Sequence, residues 1–328
     1  MTEILTLSAE DLSAALPMRA AIEAMRTAFA ALSAGEVELP HRTRVETGVG
    51  AVLLVMPGAA PGPFGLGAKI VSVVEQNPER GLPLVSGAVL LLDRDTGQPA
   101  ALLNAERLTE IRTGATSGLA TDVLARRDAR KLGILGAGRQ ARTQAEAVCA
   151  VREIKEVRVW SRTRQRADMF ASDLREASWA PPEVSVVDDP SAAVIGFDVV
   201  CTATAAKYPV LVGAHGWPGL HVNAVGSFTP RMREIETDLL GAARVVVDYR
   251  PAVMEEAGEI IEAIDVGALT PDELIELGDV VRRVARGRTS PDDITVFKSV
   301  GIAVQDLVAG SLAVERARAE GLGTTVTL

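Results

Sequence analysis

The sequence predicts an α/β protein: a doubly wound parallel sheet joined to a second domain of mixed α+β character. Three observations carry this. The chain has 328 residues, beyond the size at which one hydrophobic core is comfortable, so two domains are expected. From residue 131 onward, apolar strand-like runs alternate with helical stretches, as a parallel sheet with crossovers requires. Between about residues 43 and 103 the runs are short, rich in Val and Leu, and punctuated by Gly and Pro, which reads as β structure of a separate kind.

The elements follow in order. Residues 17–34 (PMRAAIEAMRTAFAALSA) place apolar residues at helical spacing after a Pro start, and Gly35 closes the segment. The β-type runs are AVLLVMP, GLGAKIVSVVE, PLVSGAVLLLD and PAALL. LLDRDTGQPAALL reads as a hairpin turning at Asp93 to Gly97, so Asp93 and Asp95 are assigned to turn chemistry rather than to calcium. An Ala-rich helix is expected over 105–126. KLGILG then leads to a helix at 139–150 and VRVW to one at 163–176. VSVV, a short helical SAAVIG, DVVCTAT, HVNAV and RVVVD follow, giving six strand candidates for the parallel sheet. The last segment, ITVFKSVGIAVQDLVAGSLAVERARA, reads as one long amphipathic helix preceded by a short strand. That helix is expected to pack back onto the β-rich front part.

Composition narrows the function. Hydrophobic content is 48%, charged content 23% and net charge −9, an acidic globular balance with no electrostatic footprint for nucleic acid. The cysteines are only two, Cys149 and Cys201, in apolar segments, which fits a reducing cytoplasm. The start, MTEILTLSAEDL, has neither a basic nor an apolar leader region, and no apolar run reaches membrane length. His41, His215 and His221 lack zinc spacing, and there is no CxxC, so no metal is expected.

The chemistry begins at LGILGAGRQA, where a strand runs into Gly136-x-Gly138-x-x-Ala141. Gly136 suits the tight turn, Gly138 a close backbone approach to a pyrophosphate, and Ala141 close helix–strand packing. Because it follows a strand and opens a βα series, the motif predicts a bound dinucleotide, contacted by Gly136, Ala137, Gly138, Arg139 and Gln140. Its identity is decided at the end of the next strand, where an acidic residue would select NAD. The text there is Val159-Trp160-Ser161-Arg162-Thr163-Arg164, with no carboxylate. Ser161, Arg162 and Thr163 offer donors to a 2′-phosphate, so NADP(H) is expected, with NAD(H) as the alternative; Arg162 and Arg164 also read as the start of a solvated helix. Thr202, Ala203 and Thr204, ending the fourth strand, and Val225 are expected to line the cofactor. Both cysteines read as structural.

GLGAKIVSV, LTEIRTGATSGLA, GILGAGRQA, HVNAVGSFTPRMREI and ITVFKSVGIAVQD together resemble the ornithine cyclodeaminase/mu-crystallin family. The likeness runs from about residue 36 to 310. It implies a homodimer with a substrate-binding and dimerisation domain split between 1–118 and 300–328, around a Rossmann domain at 119–299. It also implies a basic cluster for a substrate carboxylate. Arg42 in Pro40-His41-Arg42-Thr43, with Arg44 as its competitor, would supply the first Arg, Lys69 the Lys and Arg112 the second Arg. Chemically this is sound, since Arg offers a fork for a carboxylate and Lys a point charge that also donates a proton. Arg112 could instead reach the cofactor phosphates. Ser299 would lie near the nicotinamide and the substrate, and Lys298 reads equally as a solvated charge.

Departures from the family decide the expected reaction. Cyclodeaminases place a Glu on the strand ending in Met-Pro and an Asp after the NAVGG stretch; here those positions hold Leu54 and Phe228. Lacking two carboxylates to handle a second amine, the site suits hydride delivery to the C=N carbon of an imino acid. The expected activity is NADPH-dependent reduction of Δ1-pyrroline-2-carboxylate or Δ1-piperideine-2-carboxylate to proline or pipecolate. Lys69 and Arg112 would be catalytic, with Arg42, Phe228 and Ser299 beside the substrate. The alternatives are an ornithine or lysine cyclodeaminase, an alanine-type amino-acid dehydrogenase, and a crystallin-like protein that holds NADPH without turnover.

Overall fold

The computed structural model describes residues 2–47, 50–74, 76–213 and 216–327; His215 lies outside them. The chain divides into two compact units, Met1–Arg112 with Ile302–Leu328, and Thr113–Gly301. It opens with strand β1 (Glu3–Leu7) and helices α1 (Ala9–Ala15) and α2 (Met18–Ser33). Strands β2 (Thr43–Glu46), β3 (Ala51–Ala59), β4 (Leu66–Val74), β5 (Val85–Leu92) and β6 (Pro99–Asn104) lead into helix α3 (Ala105–Leu124). Next come β7 (Lys131–Leu135), α4 (Arg139–Val151), β8 (Glu156–Trp160), α5 (Arg164–Arg175), β9 (Glu183–Val186), β10 (Val199–Thr202) and β11 (His221–Ala224). Helix α6 (Thr237–Gly241), β12 (Arg244–Val247), α7 (Arg250–Glu256), α8 (Gly258–Asp265), β13 (Ile275–Glu276), α9 (Leu277–Val281) and β14 (Thr295–Lys298) complete the middle. The chain closes with α10 (Ala303–Glu320) and β15 (Thr324–Thr327).

In the first unit seven strands lie in the order β15-β1-β6-β5-β4-β3-β2. All neighbours are antiparallel except β1 and β6. The β5–β6 hairpin turns where expected: Asp93 Oδ1 accepts from the backbone N–H of Asp95 and Thr96 and from Thr96 Oγ1. Helix α10 packs on β3, β4 and β5, and α2 packs on α10. The sequence suggested an amphipathic α10, but every residue from Ala303 to Ser311 is buried. Gly310 permits this, since a Cβ there would come within 3.1 Å of both Leu91 and Leu103.

Strand register assigns the two faces of this sheet. Val55 and Ala88 pair with Ile70, Leu53 pairs with Ser72 and Val45, and Leu90 pairs with Ala68 and Leu102. Side chains directly opposite across strands share a face, and alternate residues along a strand do too. Val45, Leu53, Val55, Ile70, Leu90 and Leu102 therefore share one face, while Lys69 and Val71 point to the other. Val45, Ile70 and Leu102 on the former are 47%, 42% and 42% exposed.

In the second unit eight parallel strands lie in the order β13-β12-β14-β11-β10-β7-β8-β9, a Rossmann-type sheet that reverses direction beside β7. Six strands were expected. The two additions are β14, inserted between β11 and β12, and the two-residue edge strand β13. Apolar side chains fill both faces, one cluster holding Leu132, Val157 and Phe170, the other Phe197, Leu220 and Val296. Among the described residues no helix is long and apolar enough to cross a membrane.

Arg152 closes the end of α3. Its Nη2 donates to the carbonyls of Thr121, Asp122 and Ala125 at 2.9–3.0 Å, and its Nε to that of Arg126 at 2.9 Å. A helix C-terminus leaves its last carbonyls short of backbone donors, and Arg152 supplies donors at that end and just beyond it. Arg152→Ala should therefore cost about 2–4 kcal/mol of stability, the scale of several charged hydrogen bonds lost from buried acceptors. A lowered denaturant midpoint at unchanged slope is the expected readout.

Candidate active site

The first unit sets two cations against one carboxylate. Lys69, at the middle of β4, is only 4% exposed. Its Nζ donates to Thr109 Oγ1 at 2.5 Å and to Asp306 Oδ1 at 3.4 Å. Arg112, on α3, donates from Nε to the same Oδ1 at 3.2 Å and from Nη1 to Gln305 Oε1 at 2.8 Å. Gln305 Oε1 also accepts the Ile302 N–H at 2.9 Å, fixing it at the start of α10. Burial pushes the Lys69 ammonium down from 10.5 to about 8; Asp306 works against that fall, while Arg112 and Arg42 add to it.

That coupling separates the two candidates for the first Arg. Arg42 is half-buried and acts on Lys69. Arg44 pairs with Glu46 at 2.8 Å and keeps half its side chain exposed. The cluster thus carries three positive groups, Arg42, Lys69 and Arg112, against Asp306. Such an excess suits a small carboxylate, and an ammonium poised near pH 8 can give up a proton near neutrality.

The second unit carries the glycine turn. Gly136, at φ +116°, occupies a conformation that favours glycine. A Cβ there would lie 2.5 Å from the Ala203 carbonyl oxygen, so glycine alone lets the turn close against the end of β10. Gly138 is the N-cap of α4, no side chain caps that helix, and a Cβ on Gly138 would face open space. Ala141 is fully buried against the sheet. Ala137 and Gln140 are half-buried and Arg139 is exposed. Gln140 Oε1 is buried and has no hydrogen-bond partner among the described residues. Uncapped amides and a cleared Cβ position fit a dinucleotide pyrophosphate at residues 136–140. At the tip of β8, Ser161 is half-buried, and Arg162 and Thr163 are exposed. Arg164 is held by Asp168 at 3.0 Å and by Asp188 at 2.5 Å.

A buried network organises the loops after β10 and β11. Glu234 accepts from Thr202 Oγ1, from the N–H and Oγ1 of Thr204, and from the N–H groups of Gly226 and Ser227. Burial raises its pKa; Lys298 works against that rise and Glu259 adds to it. Val225 N–H donates to the Thr202 carbonyl at 3.1 Å. Lys298 is fully buried, not a solvated charge: its Nζ lies 3.0 Å from Glu259 Oε1 and donates to Ser227 Oγ at 2.6 Å. Ser299 donates its hydroxyl to Asp248 at 2.7 Å, and Phe228 is 38% exposed. Cys149 and Cys201 are unpaired, and burial pushes both thiols up to about 12.

The Ornithine cyclodeaminase/mu-crystallin family model matches residues 2–321. The chain belongs to this family. A Delta(1)-pyrroline-2-carboxylate reductase of Bacillus cereus is 41% identical over 275 residues, which span 83% of this chain and 84% of the relative. The solved Delta(1)-pyrroline-2-carboxylate reductase of Thermococcus litoralis, in complex with NADH and L-proline, is 36% identical. It superposes with a TM-score of 0.94 over 98% of this chain and 100% of its own. An archaeal alanine dehydrogenase dimer with bound NAD is 30% identical, with a TM-score of 0.92 over the whole of both chains.

Asp306, Glu234, Glu259 and Asp248 escaped the sequence reading. Their only signal was a carboxylate set among apolar or small residues, as in GIAVQDLVAG and RVVVDYR.

Proposed function

We propose that this chain is an NAD(P)-dependent oxidoreductase that reduces the C=N bond of a cyclic imino acid, with NADPH preferred. The substrate would be Δ1-pyrroline-2-carboxylate or Δ1-piperideine-2-carboxylate, and the product proline or pipecolate. The observation that carries this reading is the buried pairing of Lys69 with Arg112 on one Asp306 oxygen. Arg112 and Arg42 offer donors to the substrate carboxylate, and Lys69 offers a proton to the imine nitrogen. Residues 136–140 would hold the pyrophosphate of a reduced nicotinamide dinucleotide, which would supply the hydride for the imine carbon and be left oxidised. Lys69 then regains its proton from solvent. The names of the Bacillus cereus and Thermococcus litoralis relatives support the same substrate class. Leu54 and Phe228, in place of the carboxylates expected of cyclodeaminases, favour reduction over cyclisation.

Lys69→Met should lower turnover of a cyclic imino acid by roughly a hundredfold or more, the scale of a lost general acid. NADPH affinity should hardly change. The pH dependence has a defined sign: the ammonium is the donor, so kcat/KM for reduction should fall as pH rises through about 8. Assays of NADPH oxidation across pH with both imines check this, and ornithine with NAD or NADP should yield no proline. Proline formed readily from ornithine would overturn the reading.

The cofactor preference rests on the tip of β8. Arg162 is exposed and its guanidinium has no partner among the described residues, whereas Arg164 is engaged. We expect NADPH to bind at least about tenfold more tightly than NADH, and Arg162→Ala to remove most of that difference, a charged hydrogen bond's worth. Fluorescence titration of both cofactors decides it. Equal affinities in the unmodified protein would remove the argument for NADP(H), and tighter binding of NADH would match the cofactor form named for the Thermococcus relative.

The half-exposed apolar face with Val45, Ile70 and Leu102 supports pairing with a second copy of the chain. Sedimentation at micromolar concentration should give a dimer, and Ile70→Lys with Leu102→Lys should give monomer. The two unpaired thiols suit a cytoplasmic setting.

A further inference from the structure

Asp306 is a carboxylate in a cluster proposed to receive a carboxylate. Its Oδ1 lies 3.4 Å from Lys69 Nζ and 3.2 Å from Arg112 Nε, and its side chain is 1% exposed. Oδ2 is buried and has no hydrogen-bond partner among the described residues. A carboxylate placed for stability would use both oxygens, commonly in a two-bond fork with Arg. Here one oxygen is shared between two cations and the other is left bare, which is costly for a buried acceptor. Apolar side chains of similar volume would commonly serve stability as well as such a buried ionic cluster. Asp306 from α10, Arg112 from α3 and Arg42 ahead of β2 act on Lys69. The flanking strands, β3 and β5, contain no titratable residue. Among the described residues Asp306 is the carboxylate paired with Lys69, against the guanidinium groups of Arg112 and Arg42.

We propose that Asp306 is a positioning residue for imine reduction: it draws Lys69 and Arg112 to one oxygen and keeps the buried ammonium charged until the imino acid arrives. The inference rests on the reductase reading above. Without Asp306 the ammonium would be buried beside like charges alone, and it would lose its proton at lower pH. The substrate carboxylate, by contrast, would lose a competitor for Arg112. Removing the Asp306 charge should therefore damage kcat far more than KM.

The test uses full-length protein carrying carbon-13 at lysine Cε; the chain has five lysines, so resonances are few, and Lys69→Met assigns the one that matters. In Asp306→Asn the Lys69 midpoint should fall by roughly one to three pH units, the effect of a lost opposite charge at this range. The alkaline fall of kcat/KM should move with it, while KM at lower pH changes by less than roughly threefold. Asp306→Glu should restore the profile in large part. An unmoved Lys69 midpoint, or a loss expressed wholly in KM, would overturn the proposal. A measurement on the unmodified protein stands beside this in case Asp306→Asn does not fold. Calorimetric binding of pyrrole-2-carboxylate at pH 7, in buffers of different ionisation enthalpy, should show proton uptake far below one; uptake of about one proton would mean Lys69 is neutral beforehand and would sink the idea. An unmodified protein that reduces neither imine overturns the reductase reading, with the Asp306-dependent shift of Lys69 still measurable. An active enzyme with an unmoved Lys69 overturns the positioning role alone.

Discussion

A buried ammonium sets the terms for the first unit. Lys69 stands in the middle of a strand, and taking its charge out of water is tolerable only with a counter-charge at hand. That counter-charge comes from Asp306, 237 residues further along the chain. The C-terminal helix must therefore belong to the same unit as the early strands. Closing so long a loop adds only modest entropic cost, because the penalty grows with the logarithm of length. The packing is built for the return: a Cβ on Gly58 would come within 3.2 Å of Leu307, and α10 is buried along its first nine residues, Ala303 to Ser311. Small residues in the strand and the helix let the helix come close enough for Asp306 to reach Lys69.

The second unit applies the same rule to a different end. Glu234 is a buried carboxylate, and the donors that satisfy it belong to the loops after β10 and β11. A Cβ on Gly226 would lie 2.3 Å from the backbone of Thr204, so those loops touch with no side chain between them. Glu259 and Lys298 then fix Ser227 from a helix and a neighbouring strand. Segments at the C-terminal ends of parallel strands would otherwise be the least ordered parts of such a sheet, and they are where ligands bind. Charge buried and fully paired beneath them fixes these loops without occupying the surface they present.

Local signals were legible in the text and long-range pairings were not. The Pro start and Gly stop of the helix at 17–34 match α2, and the Asp93 turn forms as its residue types require. The glycine turn was readable because Gly136 answers to a local backbone need, a positive φ and a close approach to Ala203. Lys298 was left open for the opposite reason: nothing within its own strand distinguishes a solvated lysine from one whose partner, Glu259, comes from a helix elsewhere in the chain. Asp306 was passed over because a polar residue inside a helical repeat is ordinarily on the wet face, and α10 has no wet face along its first half. Strand β14 was set apart from the sheet since a short apolar run announces a strand without naming its neighbours. Ser299 was expected beside the substrate; its hydroxyl is spoken for by Asp248, whose role depends on backbone N–H groups of Val300 and Gly301 that no pattern displays.

The strand register also gives physical weight to the absent carboxylate at position 54. Met56 lies directly opposite Lys69, and Leu54 opposite Val71, so Leu54 projects from the same face as Lys69, one diagonal step away. A Glu there would bring a second negative charge toward the ammonium, raising its proton affinity and weakening the excess of positive charge that suits a substrate carboxylate. It would also provide a base for a second amine. Leu54 does neither. It leaves the face apolar, which sharpens the desolvation of Lys69 and makes Asp306 the counter-charge on which its protonation depends. Under the proposed reaction this is the useful arrangement. Reduction of an imine asks for one proton and one hydride, and a lysine that holds its proton loosely near neutral pH, kept charged by a single carboxylate, is better matched to that demand than one locked between two.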